Sequence, residues 1–250
     1  MTINTDLNIL GGLPDWNLIN VFLNESIGSL HNGGGAHSYT AIKTDKSVKR
    51  FEKAISGTLI KFHNTSIESL VRDVFAGENI THDSLLLLFW NASHNNELLH
   101  YLNNNVYFPA FYSGRISIKS NEVVACLKDL REHEIQLKDW AEYTLEKVAS
   151  KYLTLLKKFN LMEGTLNKSI VHPYLNDKMF ILFVYWLSAI ETKPNLLESE
   201  WLKYCFSEKP VYIERLMQKK FAKYFQLSYT GDKLKIETEM PYSTIYHVIK

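Results

Sequence analysis

Hydrophobic side chains recur at three- and four-residue steps through the segment from Trp140 to Gly164. An α-helix has 3.6 residues per turn, so residues at these steps lie on one face of a helix. The polar positions fall largely off that face. We therefore predict one amphipathic helix that stops at the exit Asn160–Gly164. Its apolar positions are Leu145, Val148, Tyr152, Leu156 and Phe159, and its polar positions are Ser150, Lys151, Thr154, Lys157 and Lys158.

A helix with an apolar back and a front of serine, threonine and lysine is typical of the second helix of a winged helix-turn-helix, a DNA-binding motif. An amphipathic helix predicted from Asn121 to about Gln136 precedes it by a short link, as the first helix of such a motif would. The same pattern also fits an ordinary core helix whose lysines are solvated. Both interpretations stay open on this pattern alone.

Helical periodicity also dominates the chain before this segment. The predicted helices run from about Asp15 to Ser26, from Asp45 or Ser47 through Phe62, from Ser66 to Gly77, from Thr81 through the apolar run Leu85–Trp90, and from Asn91 to Ser113 with a break near Pro109. The polar, glycine-rich stretch His31–Ser38 is predicted to be a flexible loop. It is not a phosphate-binding loop, because no Gly-Lys-Ser/Thr closes it.

After Gly164 the pattern predicts helices and then a hairpin. The helices run from about Asp177 to Ile190, from Leu197 to Phe206 and from Pro210 to Phe221. Two strand-like runs, Tyr224–Thr230 and Lys233–Glu239, flank Gly231-Asp232, which is a good two-residue hairpin turn. This hairpin could be a DNA-binding wing or a packing element.

The predicted fold class is therefore mainly all-α: a multi-helix bundle that contains a helix-turn-helix-like segment and ends in a small C-terminal β-hairpin. We expect an N-terminal helical bundle over residues 1–115. Residues 116–250 are expected to form the helix-turn-helix-like and C-terminal helical region, although the chain could also form one compact unit. Either arrangement has enough length for a substantial core.

Charge is segregated along a chain that is almost neutral overall. The net charge is +1, and hydrophobic and charged residues make up 46% and 22%, which is ordinary for a folded protein. Three segments, Lys43–Lys61, Lys147–Lys168 and Lys209–Lys223, each carry a local balance of +4, whereas Thr65–His100 carries −4. A nucleic-acid-binding surface would have to come from this local segregation.

The two cysteines, Cys126 and Cys205, are far apart and belong to no Cys-x-x-Cys pair, which fits a reducing compartment and no cysteine-based zinc site. The N-terminus lacks the pattern of a signal peptide. The most apolar run, Met179–Ile190, is shorter than the about 20 residues that a membrane span needs. We expect a cytoplasmic protein without a membrane span.

No coherent active site can be assembled from the sequence. Glu132-His133-Glu134 lies in a charged helix, where solvation explains it. A nuclease site would need Asp177 to converge with Glu191 and Lys193, but a helix-like run separates them. The sequence carries no His-Glu-x-x-His, no Gly-x-Ser-x-Gly and no dinucleotide-binding glycine pattern. The expectation is a protein that is not an enzyme, with no cofactor and no metal.

Three stretches resemble the BrxA proteins of bacterial BREX phage-defence systems. They are KSVKRFEKAISGTLIKF at Lys46–Phe62, LLLLFW at Leu85–Trp90, and WAEYTLEKVASKYLTLLKKFNLMEG from Trp140, followed by Ile170–Pro173. The resemblance implies an all-helical, non-enzymatic DNA-binding accessory protein with a helix-turn-helix-like part. It also implies work in the cytoplasm beside the methyltransferase, ATPase and phosphatase-like partners of that system.

Binding to double-stranded DNA is thus the leading hypothesis, and other BREX proteins are possible partners. Phosphate contacts would dominate, giving salt-dependent affinity with little sequence preference. The alternatives are a protein-interaction scaffold whose basic faces bind acidic partners, or a helix-turn-helix transcription regulator. The candidate DNA-binding residues are Lys46, Lys49, Arg50, Lys53, Lys147, Lys151, Thr154, Lys157, Lys158, Lys219 and Lys220.

Overall fold

A computed structural model describes residues 3–24, 41–77, 80–165 and 168–249 of the chain. The helices are α1 (Asp6–Leu10), α2 (Asn17–Asn24), α3 (Asp45–Ala54), α4 (Thr65–Val74), α5 (His82–Asn95), α6 (Glu97–Leu102), α7 (Phe108–Tyr112), α8 (Ser120–His133), α9 (Glu142–Lys158), α10 (Asp177–Ile190), α11 (Lys209–Leu216) and α12 (Ile245–Val248). The strands are β1 (Met162–Glu163), β2 (Ser169–Ile170), β3 (Phe225–Tyr229) and β4 (Leu234–Thr238). The mainly helical fold class with a C-terminal hairpin is confirmed. The predicted loop His31–Ser38 lies outside the described residues.

Side-chain caps explain where several of these helices begin. Thr44, Asn64 and Asn176 each accept a hydrogen bond from the backbone N–H three residues on, at the starts of α3, α4 and α10. Thr81 and Ser84 form a reciprocal capping box at the start of α5. Each cap satisfies a backbone donor that the helix itself leaves unpaired.

The chain forms two compact units. The first comprises Met1–Lys61 and Ile80–His172, and the second comprises Phe62–Asn79 and Pro173–Lys250. This division differs from the boundary predicted between residues 115 and 116, which lies inside the first unit. The sequence pattern missed it because α4 packs with α10 and α12, far away along the chain.

The core of the first unit is built on α5 and α9. Leu86 to Trp90 are completely buried in α5, as expected for the LLLLFW run. Phe89 packs against Phe159 at a ring-centroid distance of 5.6 Å, and Trp16 stacks on the other side of Phe159 at 5.4 Å. The aromatic ring just after α9 therefore joins α5 to the N-terminal segment.

The region from Asn91 to Ser113 differs from its prediction in the position of the break. The helix is interrupted at Asn96, where the backbone is extended and the side-chain Oδ1 caps α6 by accepting a hydrogen bond from Leu99 N at 2.9 Å. Pro109 causes no break, because it lies in the first turn of α7, where a missing N–H costs little. A π-helical turn, Asn103–Tyr107, joins α6 to α7.

The helix predicted from Asp45 through Phe62 changes character before it ends. The α-helical part, α3, ends at Ala54, and a π-helical turn, Ile55–Leu59, follows it directly. The buried Asn91 side chain donates to Leu59 O at 2.7 Å and to Lys61 O at 3.1 Å. These bonds satisfy carbonyl groups that the end of the helix leaves unpaired.

α1 packs against both α3 and α9. Its closest approach is at Gly11, where an added Cβ would lie 2.5 Å from the backbone oxygen of Lys151 and 2.9 Å from the Lys151 Cβ. The backbone of Gly11 is ordinary right-handed helix, with φ −63°. Glycine is therefore required here by space and not by conformation.

The second unit surrounds α10, which is buried along most of its length. α4 packs on α10 and α12, and β4 packs on α10. The predicted hairpin is present, with β3 and β4 antiparallel and Tyr229 opposite Leu234. The helix predicted from Leu197 to Phe206 is replaced by 3₁₀ turns, Leu196–Glu198 and Glu200–Cys205, the second of which ends at Phe206 with a left-handed φ of 56°.

Two buried polar side chains, Asp73 and Tyr185, join elements of the second unit. The buried Asp73 carboxylate accepts a hydrogen bond from Tyr246 N at 2.7 Å and lies 2.6 Å from His247 Nδ1. The buried Tyr185 hydroxyl donates to Tyr224 O at 2.7 Å and accepts from Met240 N at 3.0 Å. α4 is thereby tied to α12, and the two ends of the hairpin are tied to α10.

None of the helices in the described ranges combines the length and the apolar character needed to cross a bilayer.

Replacing Gly11 by alanine is expected to lower the free energy of unfolding by about 1–3 kcal/mol, because the new methyl group overlaps the backbone of α9. Urea denaturation measures the change. Gly77→Ala is the matched control: a Cβ there meets no atom within 4 Å, so its effect should stay within about 1 kcal/mol. Equal destabilisation by the two substitutions would contradict the close approach of α1 to α9.

Tyr185→Phe should cost about 1–3 kcal/mol at neutral pH, because a buried carbonyl and a buried N–H each lose their partner. Burial raises the pKa of Tyr185 to about 12 from the ordinary 10. Its contribution is therefore complete below pH 10 and is lost as the pH rises from 10 towards 12. Between pH 10 and pH 12, the free energy of unfolding should fall less steeply with pH for Tyr185→Phe than for the native chain. Equal slopes for the two proteins would contradict the assignment.

Candidate nucleic-acid interface

α8 and α9 pack against each other and are joined by a short link that contains the 3₁₀ turn Ile135–Leu137. Arg131 on α8 fixes the link by donating to Trp140 O at 2.9 Å and to Glu142 Oε1 at 3.1 Å. Hydrogen bonding by Lys128, joined by Arg131, lowers the pKa of the Glu142 carboxyl group. The two predicted helices therefore form one helix–turn–helix element.

α9 ends in a left-handed residue, Asn160, with φ 59°. Leu161 N donates to Leu156 O and Asn160 N donates to Lys157 O, each at 3.0 Å, which is the pattern of a Schellman motif. Leu156 and Leu161 are both fully buried. This ending reverses the chain directly after the helix and fixes where the next segment starts.

The next segment is a small hairpin that the sequence analysis missed. β1 and β2 pair antiparallel, Met162 with Ile170 and Glu163 with Ser169. Ser117, just before α8, bridges to Ser169, and Ile170 N donates to Ile116 O at 2.7 Å. The order of a bridging residue, two helices and a hairpin resembles that of a winged helix-turn-helix. We call β1, β2 and the described residues Gly164, Thr165 and Lys168 between them the wing. The hairpin β3–β4, also considered as a wing from the sequence, belongs to the second unit.

The side of α9 away from its buried residues carries a line of polar and aromatic residues, with the exposed Glu146 beside it. Tyr143 is 72% exposed, Lys147 and Ser150 are exposed, and Thr154 and Lys157 are half-buried. We call these five residues the polar stripe. It retains Lys147, Thr154 and Lys157 of the predicted DNA-binding residues, and it adds Tyr143, which the charge pattern could not reveal.

Lys158 has a structural role that the sequence analysis did not foresee. Its ammonium group donates a hydrogen bond to Leu13 O in the N-terminal segment. Burial, together with the nearby Lys151, lowers the pKa of Lys158, and Asp15 acts in the opposite direction. Lys151 lies beside Gly11 and Gly12 on the same flank. These two lysines therefore flank the polar stripe and contact the N-terminal segment.

The wing is tied to the polar stripe by two lysines. Lys168 Nζ donates to Thr154 Oγ1 at 3.1 Å, and Thr154 Oγ1 in turn donates to Ser150 O at 2.8 Å. Lys157 Nζ donates to Gly164 O at 2.6 Å. Lys168, absent from the sequence-based set, thus lies on the same surface as residues that were in it.

The four basic residues of α3 lie on one exposed face. Lys46, Lys49, Arg50 and Lys53 follow helical spacing opposite the buried Val48 and Phe51. Within the described part of the chain, none of the four forms an ion pair with a carboxylate. Their charge is therefore left to solvent, on a helix that contacts α1, as α9 also does.

Lys219 and Lys220 belong to the second unit and are not equivalent. Lys220 Nζ lies 2.5 Å from Asp177 Oδ2, and Arg215 lies 3.0 Å from Asp177 Oδ1. Hydrogen bonding by Lys220, joined by Arg215, lowers the pKa of Asp177. An internal carboxylate thus already neutralises part of the charge at Lys220, whereas Lys219 lines an open cleft beside β3.

The candidate nuclease residues do not converge. Asp177 is the first residue of α10 and Glu191 caps its end, so at 1.5 Å per residue they are about 20 Å apart. Glu191 Oε1 accepts from the backbone N–H groups of Thr192 and Lys193. His133 Nδ1 lies 2.9 Å from Asp129 O. In the described ranges, no three His, Cys, Asp or Glu side chains cluster in a way that could hold a metal ion.

Lys158→Met should lower the free energy of unfolding by about 1 kcal/mol, because the carbonyl of Leu13 loses a charged donor on a half-buried side chain. Lys147→Met, at an exposed position, should stay within about 0.5 kcal/mol of the native chain. Chemical denaturation of both variants tests this. A Lys158 variant as stable as the Lys147 variant would show that the contact is not structural.

The chain matches no curated protein and no solved structure. A family model, described as BrxA, matches residues 42–183, which is more than half of the 250 residues. The match begins just before α3 and includes α5, α8, α9, the wing and the first half of α10. The chain therefore belongs to the BrxA family, and its role is BREX-associated.

Proposed function

We propose that this protein binds duplex DNA, mainly through phosphate contacts, as a non-enzymatic accessory component of a BREX phage-resistance system in the cytoplasm. The observation that carries the proposal is the polar stripe of α9 next to the wing. A helix face of lysine, serine, threonine and tyrosine, flanked by a hairpin, matches the surface by which winged helix-turn-helix domains engage a duplex.

The charge balance of this surface supports an anionic ligand. Lys157 and Lys168 are held near one another by the contacts of the wing with α9, and Lys151 is close enough to affect Lys168 electrostatically. In the part of the chain that is described, none of these three lysines is paired with a carboxylate. A phosphate backbone would relieve the mutual repulsion of like charges that the fold brings together.

In this proposal the predicted residues take different roles. Lys147, Thr154 and Lys157 face the duplex from the polar stripe. Lys46, Lys49, Arg50 and Lys53 extend the electrostatic footprint from α3. Lys151 and Lys158 act mainly by joining α9 to the N-terminal segment, and Lys220 is held by Asp177.

Phosphate recognition rather than base recognition follows from the residue types. Lysine is a flexible point charge, and serine and threonine hydroxyl groups bond readily to phosphate oxygens. The arginine, asparagine or glutamine side chains that read base edges by paired hydrogen bonds do not occur in the polar stripe. We therefore expect binding with little sequence preference.

Fluorescence anisotropy with a labelled random-sequence duplex tests the proposal at about 50 and 200 mM salt. The native chain should bind with micromolar or tighter affinity at the lower salt. With about four phosphate contacts, the affinity should fall about a hundredfold at the higher salt. The double variant Lys147→Glu, Lys157→Glu should weaken binding at least tenfold, and equally for duplexes of different sequence.

The matched control is Lys209→Glu, Lys233→Glu, which makes the same change of charge at two exposed lysines of the second unit. It should bind nearly as the native chain does. If both double variants bind equally well, the polar stripe is not the interface. If the native chain does not bind at the lower salt, DNA binding itself is wrong. A partner protein retained after nuclease treatment would then favour the scaffold alternative.

A further inference from the structure

A cleft of about 390 Å³ opens beside the polar stripe, where the start of α8, the middle of α9 and the wing come together. Ile118 and Leu153 form its apolar wall. The polar residues that line it are Ser117, Lys119, Ser120, Ser150, Thr165 and Lys168. The cleft therefore combines four hydroxyl groups with two ammonium groups.

No carboxylate is among the lining residues. Two acidic residues lie two positions from a lining residue: Glu163, which is exposed on β1, and Glu122, which is already engaged. Glu122 accepts a hydrogen bond from Lys119 N at 2.8 Å and lies 2.6 Å from Arg115. These interactions lower the pKa of Glu122, against the effect of its partial burial. Glu122 thus caps α8, pairs with Arg115 and also attracts Lys119, whereas no carboxylate is among the groups that shift the pKa of Lys168.

Lys168 is the cation that the fold constrains most. It is half-buried, and its ammonium group is held at Thr154. Burial, followed by the repulsion of Lys157 and Lys151, lowers its pKa. Burial and charge repulsion both disfavour the charged form of Lys168. An anion close to Lys168 would therefore stabilise its charge more than it would stabilise the charge of a solvated surface lysine.

We propose that this cleft binds one backbone phosphate of a DNA duplex, with Lys168 and Lys119 as the cations and the hydroxyl groups of Ser117, Ser120, Ser150 and Thr165 as hydrogen-bond donors. The inference deepens the proposed function and rests on it. Ser150 belongs both to the cleft and to the polar stripe. A phosphate in the cleft is therefore part of the same duplex that α9 engages.

The contribution of this one phosphate contact can be measured from the salt dependence of DNA binding. Each phosphate contact contributes about 0.9 to the slope of log affinity against log salt concentration. Lys168→Met keeps an apolar stem of similar length and removes the charge. We expect it to reduce the slope by about 0.9 and the affinity about three- to tenfold, whereas Lys168→Arg should keep the native slope. Thermal unfolding of each variant verifies that it is folded.

The outcomes separate the two proposals. A native chain that does not bind DNA contradicts the proposed function as a whole. A native chain that binds, with Lys168→Met showing the native slope, overturns the cleft assignment alone. Lys233→Met is the matched control and should leave the slope unchanged.

A second measurement distinguishes the source of the phosphate. Amide chemical shifts of Thr165, Lys168 and Ser150 are followed during titration with a short duplex and, separately, with inorganic phosphate at constant ionic strength. Saturable shifts with the duplex, and none with inorganic phosphate at millimolar concentration, support a backbone phosphate. Equal saturation by inorganic phosphate would reassign the cleft to a free anion and overturn the proposal.

Discussion

The packing around α9 is the constraint on which the first unit depends. α8 lies along one side of the helix, α1 approaches the backbone of Lys151 so closely that only glycine fits at position 11, and Phe159 packs against α5 and Trp16 at the end. The helix is therefore enclosed on most of its circumference. What remains accessible is the polar stripe with its neighbours, Glu146 among them, and the Schellman motif at Asn160 places the wing next to it.

This enclosure divides the lysines of α9 by function. Lys158 joins α9 to the N-terminal segment through Leu13 O and so stabilises the fold, whereas Lys157 donates to Gly164 O at the wing and stays on the surface proposed to meet the duplex. Lys157 and other lysines lie close together, and no carboxylate among the described residues pairs with them. Their mutual repulsion raises the free energy of the folded state, and a bound anion would lower it. The same residue type on one helix thus serves both stability and the proposed recognition of phosphate.

Much of the helical framework could be predicted from hydrophobic spacing, because the long helices bury residues at regular steps. The buried face of α9, the run Leu86–Trp90 in α5, and the apolar α10 are of this kind. The hairpin around Gly231-Asp232 was predictable because its turn has a strong local signal. The wing was not, since each of its strands has only two residues, too few to establish an alternating pattern.

The polar residues of the candidate interface were predictable only as a set. Helical spacing placed Lys147, Thr154 and Lys157 together, but the contact of Lys158 with Leu13 joins residues that are 145 positions apart. Lys168 was missed because its place beside Thr154 depends on the reversal of the chain at Asn160. The break at Asn96, expected at Pro109, has a similar origin: the side-chain cap at Asn96 ends one helix and begins the next.

The second unit is assembled from two separated pieces of chain, and this has a consequence for its synthesis. α4 leaves the ribosome early, whereas its partner α10 follows only after about 100 further residues and α12 after about 170. At about 5–20 residues per second, α4 waits on the order of ten seconds with its apolar face uncovered. The carboxylate of Asp73 acquires its partners at Tyr246 and His247 last of all. The nascent chain therefore passes through a stage in which the first unit can fold while α4 still needs protection from aggregation.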